Sequence, residues 1–384
     1  MDATSSLGLD EYQKQAKRTD KTKDKGNDFD LPVLGLVGEV GSLLSELKKK
    51  QRDSAAYVNY ENTVLEELGD ALWYLAIIAE HAGIILSDVA NEAFPGHGNG
   101  FFLGFQPQHV LPLNSPTARF EKTLLRLAAA TGGLASGIVD GKPPNSGSLQ
   151  SDLAAVFSLL VETANEAGVT LETAARENLI KADDRWPIER SYPPLHDDDF
   201  PEDEQLPREL EVKIYERPVD GGKSYVLQRC NGIFIGDRLT DNIMKPDDYR
   251  FHDVFHYAYA AVLGWSPVTR ALFKRKRKSQ ANVDEGQDGA RAGLIEEGLA
   301  TYVFGIAKDF DFFHGQKSGD LSITFLKNVR QFVRGYEVEK APLWLWEEAI
   351  LQGNHAFRFL QENRRGLLKL DIQTRSLTIE DLPL

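Results

Sequence analysis

The sequence predicts a mainly α-helical chain, a helical bundle built from a duplicated unit and followed by an α+β domain with a small antiparallel sheet. Three observations carry this. Apolar residues recur at helical spacing through residues 1–95 and again through 118–190. Those two stretches resemble each other. Segments with strand character begin only after an acidic, proline-rich stretch at 191–207.

Taken in order, Leu34, Leu36, Val37, Val40, Leu43, Leu44 and Leu47 line a first long helix, and Lys48, Lys49 and Lys50 suit its C-terminus. A second helix is expected from about Tyr60 to Gly83, with Leu65, Leu68, Leu72, Leu75 and Ile78 on one face, and Ser87-Asp88 opens a shorter one. Residues 96–117 are rich in Gly and Pro and are expected to form a loop. In the repeat, Ala79-Glu80-His81-Ala82-Gly83 resembles Ala164-Asn165-Glu166-Ala167-Gly168, and GEVGSLLSELKK (38–49) lines up with GGLASGIVDGKP (132–143). Each copy would lay an apolar face against the other, as two subunits of a dimer would. Residues 191–207 are expected to be a linker between this bundle and a domain at 208–384. There, ELEVKIYERP and KSYVLQRCNGIFIGD are expected as strands separated by Asp220-Gly221-Gly222, with a short terminal strand near LLKLDIQTRSLTI. Thr240-Asp241-Asn242 is expected to cap a helix, and Trp344, Trp346, Phe357 and Phe359 to pack in the core.

The 384 residues are 42% hydrophobic and 27% charged, ordinary for a globular protein of two or three domains. No window approaches the apolar length of a membrane-spanning helix, and the first residues lack a secretory signal. The single cysteine, Cys230, excludes an internal disulfide framework and fits a cytoplasmic setting. A net charge of −14 argues against nucleic-acid binding by the whole chain. The basic run Lys274–Lys278 is expected to be a solvated helix end or loop, with phosphate contact as the alternative.

Candidate chemistry in the first half lies in Gly38-Glu39-Val40-Gly41-Ser42 and Glu66-Glu67-Leu68-Gly69-Asp70. Glu67 and Asp70 project from one helix face, and Glu39 lies on the neighbouring helix. Three carboxylates converging amid apolar surroundings repel one another, and Mg²⁺ relieves that repulsion with oxygen ligands. A metal-held water could then attack a triphosphate, with basic groups stabilising the leaving pyrophosphate.

The stretches DEYQKQAKRT, GLVGEVGSLLSELKK, LEELGDALWYLAIIA and LETAARENLIKADDRWP resemble the MazG-like all-α nucleoside triphosphate pyrophosphohydrolases, over residues 9–187. The resemblance implies hydrolysis of a nucleoside triphosphate to the monophosphate and pyrophosphate with Mg²⁺ or Mn²⁺. It assigns the metal and catalysis to Glu39, Glu67 and Asp70, and phosphate contacts to Asn178, Lys181 and Arg185. Ser42 stands where the family has a second glutamate, and Glu46 or Glu66 is the candidate to compensate. The second copy has Gly133, Ser136, Asp152 and Ala155 at the positions of Glu39, Ser42, Glu67 and Asp70, so it cannot build the same site, yet it keeps the basic tail. The expectation is one composite site: carboxylates from the first copy, cations from the second. Internal duplication could replace one dimer interface, and a homodimer is compatible with the sequence.

In the second half, His252 and His256 stand at i and i+4, and Glu297 follows in Glu296-Glu297-Gly298-Leu299-Ala300-Thr301-Tyr302, 297 − 256 = 41 residues on. These two motifs resemble the zinc site of gluzincin metallopeptidases, with Asp253 where that family has a glutamate base. Three readings stand: a zinc-binding hydrolase-like domain, a metal-dependent phosphohydrolase using His252-Asp253, and a histidine pair satisfied within a helical core. For the whole chain, the leading expectation is a nucleoside triphosphate pyrophosphohydrolase. The alternatives are a nucleotide-binding sensor that regulates the C-terminal domain, and a peptidase scaffolded by the first half.

Overall fold

A computed structural model describes residues 6–23, 28–53, 56–57, 60–97, 100–106, 118–139, 147–219 and 223–382. The chain divides into two compact units, Met1–Asp183 and Asp184–Leu384. It is mostly helical, with a small antiparallel sheet near its C-terminal half.

The first unit is all α: α1 (Leu9–Arg18), α2 (Asp30–Asp53), α3 (Tyr60–His81), α4 (Leu86–Ala93), α5 (Ala118–Val139), α6 (Gly147–Ala167) and α7 (Leu171–Arg185), whose last residues lie beyond the unit boundary. Most of the apolar stripes read from the sequence meet in one core, with Leu36, Val40, Leu68, Leu72, Leu75, Leu153, Phe157 and Leu160 all buried, whereas Leu34 and Val37 of the first stripe are exposed. The helices α3 and α6 end in the same way. Gly83 and Gly168 take left-handed φ values of 69° and 73°. The following amides, Ile84 N and Val169 N, donate back to Ala79 O and Ala164 O at 2.8 and 3.0 Å. This is a C-terminal cap that a residue without Cβ adopts at least cost. Part of the expected loop is core: Phe102 and Phe105 are buried, and Gln106 Nε2 donates to Val169 O while its Oε1 accepts from Leu171 N. Residues 107–117 lie outside the described residues.

In the second unit, the strands β1 (Glu209–Val219), β2 (Lys223–Cys230), β3 (Ile233–Leu239), β4 (Arg365–Asp371) and β5 (Ser376–Glu380) form one sheet in the order β3-β2-β1-β4-β5. Every neighbouring pair is antiparallel. Leu210, Val212 and Ile214 alternate inward with period two. The helices are α8 (Asp253–Ala258), α9 (Pro267–Leu272), α10 (Ala281–Gly286), α11 (Ala290–Asp309), α12 (Ile323–Phe332) and α13 (Leu343–Asn363). Gly353 lets α13 approach α8 closely, since a Cβ there would stand 3.1 Å from Ala258 Cβ and 3.2 Å from Phe255 Cδ1. Trp344, Trp346 and Phe357 are buried in this core as expected, and Phe359 is partly buried.

Several expectations need correction here. The stretch 191–207 is not a solvated linker but part of the second unit. Asp197 is buried and accepts from Arg270 at 2.7 Å, Arg208 at 2.8 Å and Leu206 N at 2.8 Å, so later arginines neutralise its charge. Within the basic run, Arg277 is buried and forked onto Asp288 and Glu337. It is a structural cation rather than a solvated one. KSYVLQRCNGIFIGD is two strands, because Asn231 (φ 48°) and Gly232 (φ 82°) turn the chain. The terminal strand is likewise a hairpin, β4–β5. No helix starts directly after Thr240-Asp241-Asn242, where Asp241 instead accepts from Arg250 N at 3.2 Å. The turn Asp220-Gly221-Gly222 lies outside the described residues. No single helix among the described residues is long and apolar enough to cross a membrane.

Candidate functional site

Because α2 and α3 form an antiparallel hairpin, Glu39 faces Glu67 and Asp70. Carboxylate oxygens of the three lie within 4.8 Å of one another. Two glycines make the surroundings of this cluster. A Cβ on Gly69 would come within 2.6 Å of Ala174 O and 3.0 Å of Asn178 Cβ, so the bare backbone of α3 is what admits α7. A Cβ on Gly35 would stand 2.2 Å from the ring of Tyr74, which lies across α2 beside the carboxylates.

The close approach of α7 delivers two expected residues to Asp70. Asn178 Nδ2 donates to Asp70 Oδ1 at 2.7 Å. Lys181 Nζ pairs with both Asp70 oxygens and lies 3.2 Å from Glu66 Oε1. Tyr12, buried on α1, donates its OH to Asn178 Oδ1 at 3.4 Å, which orients the amide so that its NH₂ faces Asp70. Burial, with the charge of Asp70, pushes the Tyr12 phenol well up, so it stays a neutral donor. Tyr12 and Tyr74 are the site residues that sequence reasoning missed.

Lys181 does not neutralise the whole cluster. Burial pushes the Glu67 carboxyl up to about 8, and the hydrogen bond and charge of Glu39, with Asp70 and Glu66, act in the same direction. Burial raises Glu39 as well. These two groups therefore hold a proton near neutral pH that a divalent cation would displace. A folded-state pKa above the ordinary value means that the metal-free fold binds more protons than the unfolded chain. Its contribution is present at low pH and lost as pH rises through about 8. We expect Mg²⁺ to raise the melting temperature of the first unit more at high pH than at low pH. At a hundredfold excess over Kd the gain is about 2.7 kcal/mol, or roughly 5–10 °C. Thermal scans with Mg²⁺ and with chelator at about pH 6 and about pH 9 check this.

Two expected residues do not join the cluster. Glu46 is buried two turns along α2 from Glu39, paired with Lys49 at 2.6 Å, and does not join the cluster of Glu39, Glu67 and Asp70. Arg185 belongs to the second unit. Its guanidinium, 0% exposed, forks onto Glu347 at 2.6 and 2.8 Å and donates to Leu321 O at 2.8 Å. A side chain so enclosed is not offered to a phosphate. Ser42 is half-buried one turn along α2 from Glu39.

The second expected set also assembles. Ring nitrogens of His252 and His256 and a carboxylate oxygen of Glu297 lie within 4.8 Å of one another. The helix α8 carries His256 and winds on as a π turn over Tyr259–Leu263, while α11 supplies Glu296 and Glu297. Burial disfavours the charged form of His256, but Glu296 and Glu297 outweigh it and push the imidazole up to about 10.

Residues 191–383 match the family described as the MazG C-terminal domain, which is half of the chain. The chain belongs to that family. The match covers the sheet, the His252–His256–Glu297 set and the Arg185 partner Glu347, whereas the carboxylate cluster lies upstream of it. The Gene 37 protein of Mycobacterium phage L5 is 40% identical over 62 residues, 16% of this chain and 54% of that protein. The chain thus spans about half the length of this curated relative. No solved structure matches. Membership in a MazG-like family points to a nucleotide-related hydrolase.

In this arrangement, adding a methyl group at Gly69 should separate α7 from the carboxylates. Gly69→Ala gains helix propensity of about 1 kcal/mol, yet its Cβ would meet backbone at 2.6 Å, which cannot rotate away. If the site is catalytic, displacement of Asn178 and Lys181 should lower kcat/KM by about 100-fold while the helical circular dichroism is retained. Steady-state kinetics against the wild type check it.

Proposed function

We propose that the first unit hydrolyses a nucleoside triphosphate to the monophosphate and pyrophosphate with Mg²⁺, or Mn²⁺, as cofactor. The observation that carries this reading is the junction of three carboxylates on α2 and α3 with an amide and an ammonium from α7, all focused on Asp70. The residues fit the ion: an all-oxygen donor set in which burial and neighbouring carboxylates push the Glu67 carboxyl up to about 8 and burial raises Glu39. A bound Mg²⁺ would supply charge neutralisation for the phosphates and polarise a water.

The protein's own residues do the positioning. Glu39, Glu67 and Asp70 would bind the ion, with Asn178 fixing the orientation of Asp70 and Tyr12 fixing that of Asn178. Lys181 is the adjacent cation that would meet the charge on the phosphates, and its burial strengthens that interaction. In this reading the bundle is a tandem of MazG-like repeats: α2–α4 supplies the acids and α5–α7 the basic tail. The matching caps at Gly83 and Gly168 support the duplication.

Separation of the products formed from the common ribo- and deoxyribonucleoside triphosphates tests the proposal. Metal-dependent formation of monophosphate with pyrophosphate supports it. Diphosphate with orthophosphate, or tight nucleotide binding without turnover, would contradict it, the latter favouring a sensor.

A further inference from the structure

We infer that His252, His256 and Glu297 bind a divalent transition metal, with zinc the ion that fits, in a second centre that keeps an open coordination position beside Asp253. This inference does not depend on the activity proposed for the first unit.

The hydrogen bonds decide between a ligand set and a satisfied histidine pair. His252 Nδ1 lies 2.9 Å from Tyr249 O, and His256 Nδ1 lies 2.9 Å from Glu296 Oε1. Both acceptors fix a proton on Nδ1, so Nε2 is the atom of each ring that faces Glu297 and at which a metal would take the place of a proton. Those two Nε2 atoms face one carboxylate, Glu297 Oε2, at 3.6 and 3.3 Å. His256 Nε2 is enclosed and makes no hydrogen bond, although the side chain is only 2% exposed. The group opposite that enclosed nitrogen is the Glu297 carboxylate, placed as a second ligand of the same ion would be.

The outer groups are fixed as ligand supports are. Glu296, fully buried, also accepts from Ser266 Oγ at 2.6 Å and Val268 N at 2.8 Å, so it cannot turn away from His256. A carboxylate behind a ligating imidazole sets its tautomer and raises its basicity. The Tyr249 ring stacks on His252 with centroids 4.3 Å apart and planes 2° from parallel, and its OH is anchored at Thr301 Oγ1, 2.7 Å away. Two imidazoles and one carboxylate suit zinc and disfavour Mg²⁺ or Ca²⁺, which prefer oxygen alone.

Asp253 stands outside the set. Buried Gln228 on β2 donates to its Oδ2, and Tyr257 OH donates to Gln228 Oε1 at 2.6 Å. Its other oxygen lies 3.3 Å from His252 Nε2. Three protein ligands leave the fourth position of a tetrahedral ion free. Asp253 is placed to accept a hydrogen bond from a water, or from the protonated oxygen of a ligand, in that position.

The test is metal analysis of the full chain in a Glu67→Ala background, which disables the first centre. The protein is stripped with chelator, dialysed against Zn²⁺ or Co²⁺ and washed. Stoichiometric zinc, and a cobalt visible spectrum typical of a four-coordinate site that shifts on adding azide, are expected. Glu297→Gln and His252→Gln should each lose the metal, while Asp253→Asn should keep it with an altered cobalt spectrum. Circular dichroism of each variant separates metal loss from unfolding. Failure of the folded parent to retain zinc or cobalt, or retention undiminished in both Glu297→Gln and His252→Gln, would overturn the inference. A cobalt spectrum indifferent to azide and to Asp253→Asn would overturn the open position.

Discussion

Asp70→Ala is expected to abolish measurable pyrophosphate release, lowering kcat by about 100- to 1,000-fold or more. The reason is that Asp70 joins the two halves of the proposed site. It is one of three carboxylates close enough to share an ion, and it is the group that Asn178 and Lys181 grip. Its removal takes away a proposed ion ligand and one of the two carboxylates ion-paired with the partly buried ammonium of Lys181, the other being Glu66. Asp70→Asn separates these effects. The amide keeps the shape and loses the charge, so Mg²⁺ affinity should fall while the fold is retained. Steady-state release assays over a range of Mg²⁺ concentrations give both quantities. Activity close to wild type in Asp70→Ala would remove the carboxylate cluster from the mechanism.

The largest stability effect is expected at the Arg185–Glu347 pair, both of whose side chains are 0% exposed. Glu347 also accepts from Gly319 N at 2.7 Å and Leu321 N at 2.8 Å, so it organises the loop before α12. Removing one partner strands a charge without water. Arg185→Ala or Glu347→Ala should therefore destabilise by about 3–5 kcal/mol, a fall in melting temperature of roughly 6–20 °C for a domain of this size. Replacing both with apolar side chains of similar volume, Arg185→Met with Glu347→Leu, should restore much of the loss, because no unpaired charge remains. The double variant should also retain pyrophosphate release, whereas a phosphate-binding Arg185 would cost activity in every background.

That pair shows where sequence reading stops. A basic residue at the end of a helix looks alike whether it meets a phosphate or a carboxylate 162 positions later. Burial decides between the two, and burial is a property of packing. The acidic stretch before β1 misled in the same way, since its buried Asp197 is answered by Arg270, far along the chain. By contrast, the helical stripes, the E-x-x-D spacing and the H-x-x-x-H pair were legible because one helix fixes their geometry locally. Tyr12 and Tyr74 were missed because an aromatic on an apolar helix face reads as core, and nothing local shows where its OH ends. The Asn231-Gly232 pair inside KSYVLQRCNGIFIGD is a readable turn signal.

The proposed site is composite, and Lys181→Met tests that most directly. Methionine keeps the length and the apolar stem without the charge. In assays of pyrophosphate release with varied nucleotide and Mg²⁺, a composite site should show a fall in kcat/KM of about 100-fold or more with Mg²⁺ binding retained. An unchanged kcat/KM would contradict it and confine any active site to the first half of the bundle.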